Sequence, residues 1–216
     1  MRIVHVTSVH QRYDARIFLK MCTSLATAHY ETHLIVADSL GDEKKYGVLI
    51  HDVKKEHGRL NRVVKTSSKI FDKAMQLNAS VYHIHDPELI PIGLKLKSQG
   101  KKVIFDAHED FPKQILTKHY LPLVLRKIIS ICAEIGERFL CRKFDGIVGA
   151  TPFISKKFLE INKNVININN YPKIEELQII DKPERILAQV CYIGGISVER
   201  GIKEVVTALT LTKNNV

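Results

Sequence analysis

The chain has 216 residues, 45% hydrophobic and 26% charged, the balance of a soluble globular protein long enough to bury a core. Its formal net charge of +10 points to anionic partners such as nucleotide phosphates, phospholipid or nucleic acid. No apolar run reaches the roughly 20 residues of a membrane span, and the chain opens on a strand, Arg2-Ile-Val-His-Val, instead of the apolar stretch of a signal peptide. A cytoplasmic protein, or one bound to the inner membrane face, is expected.

In chain order, residues 2–7 form the first strand, Ser8 to Tyr13 a loop, and Asp14 to about His29 a helix with Ile17, Met21, Cys22 and Leu25 as its apolar stripe. Thr32 to Ala37 is nearly all apolar at its centre, as suits a parallel strand buried on both faces. Val48 to His51 is a weaker third strand, Lys54 to Arg62 a charged loop, and Val63 to Leu77 an amphipathic helix. Ser80 to His85 is the fourth strand, with Tyr82 and Ile84 alternating with His83 and His85. It stops at Asp86-Pro87, where Pro87 suits the first turn of a helix and Asp86 its cap. That helix ends at Gly100, and residues 102–106 are the fifth strand. Residues 112–143 read as one long helix, with Leu121, Leu125, Ile128, Cys132, Ile135 and Phe139 at helical spacing. Gly146 to Ala150 is the sixth strand, Pro152 to Leu159 a helix, Val165 to Asn170 the seventh strand and Tyr171 to Glu184 a linker. A new unit follows: strand Gln189 to Ile193, loop Gly194 to Val198, helix Glu199 to Leu211. Alternating strands and helices predict a doubly wound α/β fold with a Rossmann-like parallel sheet. The last unit looks like the first strand–helix step of a second such domain. Cys22, Cys132, Cys141 and Cys191 show no paired spacing and sit in apolar patterns, so buried free thiols are expected.

Ligands of an open parallel sheet bind beyond the carboxyl ends of its strands. Two such ends carry histidine and carboxylates: His83-Ile-His85-Asp86, and His108-Glu109-Asp110 after the fifth strand. A His-x-His on a strand puts both rings on one face, as a metal centre requires. Helices should cover that face, however, so a packed His83 and a turn ordered by His85-Asp86 are the competing reading, and no metal is expected. No nucleophile elbow and no dinucleotide fingerprint are present. Nucleic-acid binding would rest on charge alone and is not expected. Gly194-Gly195 and Arg200-Gly201 surround a loop leading into a helix, an anion site in the making or an ordinary glycine-rich turn. Lys113, Lys118, Arg126 and Lys127 flank apolar residues, which suits an anionic membrane surface or a solvated face over core residues.

Together these stretches resemble the family 4 (group 1) glycosyltransferases of the GT-B fold, most closely those building bacterial O-antigen, capsule or exopolysaccharide. The carriers are Val9-His10 through Asp14-Ala-Arg16-Ile-Phe, His83-Ile-His-Asp-Pro-Glu-Leu, Phe105-Asp-Ala-His108-Glu-Asp, Ile168-Asn-Asn-Tyr-Pro172, and Tyr192-Ile-Gly-Gly-Ile-Ser with Arg200-Gly201. The resemblance implies residues 1–183 as an acceptor-side domain, 184–216 as the start of a nucleotide-sugar donor domain, and an active site between the two. It implies a retaining transfer from a nucleotide-sugar to a saccharide or lipid-linked acceptor at the membrane, without a cofactor. His108 would contact the transferred sugar, with Glu109 and Asp110 beside it. Gly194, Gly195, Arg200 and Gly201 would meet the diphosphate. His10, Asp14, Arg16, His85, Asp86 and Asn170 would line the acceptor side. A helix N-terminus and cationic side chains would stabilise the charge growing on the leaving diphosphate.

The first loop carries His10, Asp14 and Arg16 where many relatives have a glycine pair. The chain also stops before the donor-site lysine and the E-x7-E segment of that family. A chain inactive without its donor half or a partner subunit is therefore expected. The alternatives are a non-catalytic acceptor-binding subunit and, more remotely, a metal-dependent hydrolase.

Overall fold

The structure, a computed structural model, describes residues 1–56, 62–174 and 190–212. It divides into two compact units, Met1–Tyr171 and Pro172–Val216. Parts of the expected charged loop (57–61) and linker (175–184), and Gln189, lie outside the described residues.

The first unit is built on eight strands: β1 (Arg2–Val6), β2 (Glu31–Val36), β3 (Glu43–Lys45), β4 (Val48–Asp52), β5 (Val81–Ile84), β6 (Lys102–Ala107), β7 (Gly146–Gly149) and β8 (Val165–Asn167). Their spatial order is β3-β4-β2-β1-β5-β6-β7-β8. All pairs are parallel except β3–β4. Strand β3 was not expected, because Glu43-Lys44-Lys45 has no apolar alternation. It exists through a tight turn whose two central residues, Tyr46 and Gly47, both have positive φ (50° and 78°), the geometry that folds a strand back on its neighbour.

The helices follow from the sequence with two corrections. Helix α1 starts at Ile17, not Asp14, running Ile17–Cys22 with π-type turns and then Thr23–Thr27. Asp14 stays outside and accepts the N–H groups of Arg16 and Ile17, both at 2.8 Å. Helix α2 runs Arg62–Thr66 and Ser67–Leu77, and α3 runs Pro87–Leu89 and Ile90–Ser98. The expected continuous helix over 112–143 is two helices, α4 (Phe111–Leu116) and α5 (Leu123–Cys141). Pro122 separates them, since it lacks the N–H that an unbroken helix would need there. Helix α6 (Pro152–Leu159) opens on Thr151, whose hydroxyl oxygen accepts the Ile154 N–H.

One face of the sheet packs Val4, Val6, Tyr82, Ile84, Val103 and Phe105 against α2, α3 and α6. On the other face, Ile17, Phe18 and Cys22 of α1 cover Leu34, Val36, Val48 and Ile50. Beside that patch, His5, Val81, His83, Ile104, Val148 and Ile166 floor an apolar groove of about 550 Å³. Cys22 and Cys141 are buried as expected, but Cys132 and Cys191 are exposed.

Helix α5 is turned the opposite way from a core helix. Its buried residues are Ser130, Glu137 and Cys141. Val124, Ile128, Ile131, Ile135 and Phe139 all face outward, each at least half exposed. Polar bonds hold it in place: Ser130 donates to the Pro112 carbonyl at 2.7 Å, and Glu137 pairs with Lys157 at 3.0 Å.

In the second unit the described residues hold a short 3-10 helix, Val198–Arg200, and then α7 (Ile202–Thr210), which has no buried residue. Residues 190–193 form no strand, a correction to the expected strand 189–193. The loop before α7 needs its glycines: Gly194 has φ 152° and Gly201, at the helix cap, φ 65°.

Candidate functional site

The carboxyl ends of β1, β5 and β6 meet at a cavity of about 360 Å³, whose polar lining includes His10, Asp86, Glu88, His108, Glu109 and Lys118. The strand order makes this meeting: β1 and β5 are neighbours, and β6 is next. Sequence segments about a hundred residues apart thus end side by side, at the place where a parallel sheet offers a ligand its backbone ends.

Asp86 is 1% exposed and closes the turn after β5. It sits at a helix-cap position, yet its side chain bonds to the loop after β1 and not to its own helix. One oxygen accepts the Ser8 N–H at 2.6 Å, the Thr7 hydroxyl at 2.9 Å and the Ser8 hydroxyl at 3.1 Å. The other lies 2.9 Å from His10 Nδ1 as a charge contact and takes part in no hydrogen bond. Burial opposes the charge on Asp86, but the contact with His10 and the bond from the Ser8 N–H outweigh it and hold the carboxyl below the usual range. His10 responds in the opposite sense. Its close contact with Asp86 raises its pKa, against partial burial, with help from the charges of Asp86, Asp14 and Glu109.

A second, buried cluster adjoins the cavity through Asp106. Arg16 reaches across from the start of α1 and donates two bonds to Asp106, at 2.9 and 2.7 Å, and a third to the Ile168 carbonyl at 2.8 Å. Asp106 also meets His85 Nδ1 at 3.0 Å, and His85 Nε2 meets His5 Nδ1 at 2.9 Å. Asp106, His85 and His5 are fully buried. Burial penalises the Asp106 charge, yet Arg16 and His85 drive its carboxyl far below the ordinary range. Burial pushes His83 down to about 3, helped by neighbouring His85. It lowers His5 in the same direction, with His83 and His85 adding to the effect.

Among the described residues, the group suited to a metal ion is His5, His83 and His85, with one ligand atom from each within 4.8 Å of the others. The Nε2 atoms of His5 and His83 have no hydrogen-bond partner. Three imidazoles would fit zinc, but two of the available nitrogens are already bonded to each other. The one nearby anion, Asp106, is taken up by Arg16. A dication there would lack a countercharge, and we assign no metal.

The residues singled out from sequence scatter into several roles. His10, Asp86, His108 and Glu109 line the cavity. Arg16 and His85 lie under it, holding Asp106. Asp14 caps α1, and Asn170 accepts from Lys20 at 2.8 Å. Asp110 pairs with Lys113 and Lys157, both at 3.1 Å, away from the cavity lining. Of the basic residues given to a membrane surface, Lys118 lines the cavity, Arg126 donates to the Leu116 carbonyl at 3.0 Å, and Lys113 and Lys127 are exposed. Gly194, Gly195, Arg200 and Gly201 belong to the second unit. Sequence reasoning missed His5, Thr7, Ser8 and Glu88. The missing signal was strand order, because only the pairing of β1 with β5 sets His5 opposite His83.

No family model and no curated protein matches the chain. Solved structures do. A sucrose-phosphate synthase from Thermosynechococcus elongatus matches with a TM-score of 0.56 at 11% identity, over 78% of this chain and 47% of that one. A second structure bearing that enzyme's name matches at 0.51 and 12% identity, over 78% of this chain and 88% of that one. A trehalose-6-phosphate synthase structure matches at 0.47 and 13% identity, over 74% and 42% of the two chains. This chain therefore spans about half the length of the first synthase. The likeness shows the fold: a Rossmann-like α/β architecture of the GT-B kind.

Proposed function

We propose that the chain is the acceptor-side part of a glycosyltransferase that takes its sugar from a nucleotide-sugar. The observation behind this reading is the cavity at the carboxyl ends of β1, β5 and β6. It is lined by His10, Asp86 and His108 in a fold shared with a sucrose-phosphate synthase. A sugar hydroxyl needs orienting acceptors and donors within a polar, partly enclosed cleft, and these residues supply both. Residues 184–216 begin the donor domain in this reading, and Gly194, Gly195, Arg200 and Gly201 meet the diphosphate there. The reaction needs no cofactor, because cationic groups take up the charge of the leaving diphosphate.

The acceptor we favour is lipid-linked, in the assembly of a surface polysaccharide at the inner membrane face. The outward apolar stripe of α5 supports this, with Arg126, Lys127, Arg138 and Arg142 on the same helix or at its end, an arrangement that suits an anionic lipid surface. No helix among the described residues is long and apolar enough to cross a membrane.

A screen of nucleotide-sugars against the complete gene product tests the proposal. Sugar transfer is expected from the complete protein, and none from residues 1–216 alone. A complete protein that neither transfers nor hydrolyses any nucleotide-sugar would leave the non-catalytic acceptor-binding subunit as the better reading. The complete protein should also co-sediment with vesicles containing acidic lipid and be released by salt.

A further inference from the structure

We propose that the cavity takes a neutral sugar as acceptor and turns away phosphorylated and carboxylated ones, with Asp86 and Glu109 setting this choice. This inference rests on the glycosyl-transfer reading and names the acceptor class of the same site.

Among the described residues, four carboxylates line the cavity: Asp86, Glu88, Asp106 and Glu109. Lys118 is the one lysine or arginine in that lining. Asp106 is matched by Arg16, which leaves three carboxylates against Lys118 and His10. Glu88 accepts the Ser8 hydroxyl at 2.7 Å, and Glu109 accepts the Gln114 side-chain amide at 2.6 Å. These donors are neutral, so they orient the carboxylates and leave the charge in place.

Asp86 makes the need for a ligand donor specific. Its side chain is 1% exposed. The donors from Thr7 and Ser8 all go to Oδ2. Oδ1 is buried and takes part in no hydrogen bond. An ionised carboxylate oxygen is acceptor-only, and burying one without a donor is costly. A ligand hydroxyl supplies the missing hydrogen. A phosphate or carboxylate oxygen cannot, because it brings lone pairs and charge where a hydrogen is needed. His10 Nδ1 lies 2.9 Å from Oδ1 without bonding to it, on a side chain that is 26% exposed. A turn of this ring gives a hydroxyl access to Oδ1.

The rest of the lining suits a sugar ring. Val9 and Phe111, both exposed, offer apolar surface to its C–H face, and a volume of about 360 Å³ is that of a small-molecule site. Each carboxylate can take neighbouring hydroxyls, since each oxygen carries two lone pairs. The same carboxylates repel an anion, and a partly enclosed cavity screens that repulsion less than open water does. On a lipid-linked acceptor, any phosphate joining sugar to lipid therefore stays outside the cavity.

The test compares neutral and anionic forms of the same sugars. The probes are methyl glycosides of several hexoses, with the 6-phosphates and uronates of those hexoses. Titrated into the 216-residue chain, the neutral forms should shift the NMR signals of the His10 and His108 rings. The anionic forms should bind at least roughly tenfold more weakly. Asp86→Asn should weaken the neutral sugars by about tenfold, the difference between a charged and a neutral hydrogen-bond acceptor. Glu109 is exposed, so Glu109→Lys should keep the melting temperature while cutting the preference for neutral sugars by roughly tenfold.

Equal or tighter binding of the anionic forms overturns the proposal. So does the absence of any shift with the neutral forms, or a preference that Glu109→Lys leaves untouched. Binding needs no turnover, which separates this inference from the reading under it. A chain that prefers neutral sugars, within a complete protein that transfers nothing, removes the glycosyl-transfer reading and keeps the sugar site. A complete enzyme that transfers to a phosphorylated acceptor in preference to the neutral one removes this inference alone.

Discussion

Two histidine–aspartate pairs stand at the carboxyl end of the same sheet, made of the same residue types and set to opposite uses. His10–Asp86 lies on the cavity wall, with the ring partly in solvent. His85–Asp106 lies deeper, with neither side chain exposed and only Asp106 bordering the cavity. The upper aspartate is held by neutral donors from Thr7 and Ser8, and the histidine beside it becomes easier to protonate. The lower aspartate is neutralised by Arg16, and the histidines around it, His5 and His83, are pressed into their neutral form. Residue type alone therefore does not make a histidine reactive. Its exposure decides, together with whether the partner carboxylate already has a cation.

The largest effect should come from cutting the lower pair. Arg16 joins the start of α1 to β6 and to the chain leaving β8. Asp106→Ala would strand its guanidinium, 7% exposed, without a countercharge. Breaking a buried pair from one side costs on the order of 3–5 kcal/mol. A urea midpoint close to wild type would show that the floor is not the structural tie described above. The equivalent cut at the upper pair, His10→Gln, should leave the midpoint almost unmoved.

Acid should separate the pairs next. His83 titrates near 3 in the folded chain, below its unfolded value, so the unfolded chain binds more protons between about pH 6.5 and 3. The stability contributed by the neutral ring is complete above pH 6.5 and is lost as pH falls. At pH 5 the loss from this one group is on the order of 2 kcal/mol, and His5 acts in the same direction. His10 has the reverse sign. Its raised pKa adds stability below about 6.5 that disappears as pH rises through the folded value. Denaturant titrations of His83→Leu against wild type from pH 7 to 5 should show a flatter pH dependence in the variant. An unchanged slope would mean that His83 is not held neutral.

Much of the fold was legible because its signals are local. The alternation around Tyr82 and Ile84 gave β5, and Pro152 after Thr151 gave the start of α6. The site was legible only as strand ends bearing His and Asp. The pairing of Arg16 with Asp106, 90 residues apart, depends on β1, β5 and β6 lying in that order, and local periodicity carries no strand order. The orientation of α5 was hidden for a related reason. An amphipathic pattern gives two faces but does not say which one meets the body. That choice is made here by Ser130 bonding to the Pro112 carbonyl and by Glu137 pairing with Lys157.

The smallest effect on stability should come from His108, which stands between the two pairs and shows where the floor ends and the cleft begins. Its ring approaches His10 at 5.0 Å, and its one hydrogen bond, to the Asp106 carbonyl, is long at 3.3 Å. The side chain is 18% exposed and lines the cavity. Losing such a bond at a partly wet position costs about 1 kcal/mol or less, so His108→Ala should barely shift the melting temperature. If the ring hydrogen-bonds a sugar hydroxyl in the transition state, kcat of the complete enzyme should fall on the order of a hundredfold. The opposite outcome, a clear drop in melting temperature with kcat of the folded fraction near wild type, would move His108 from the cleft to the floor.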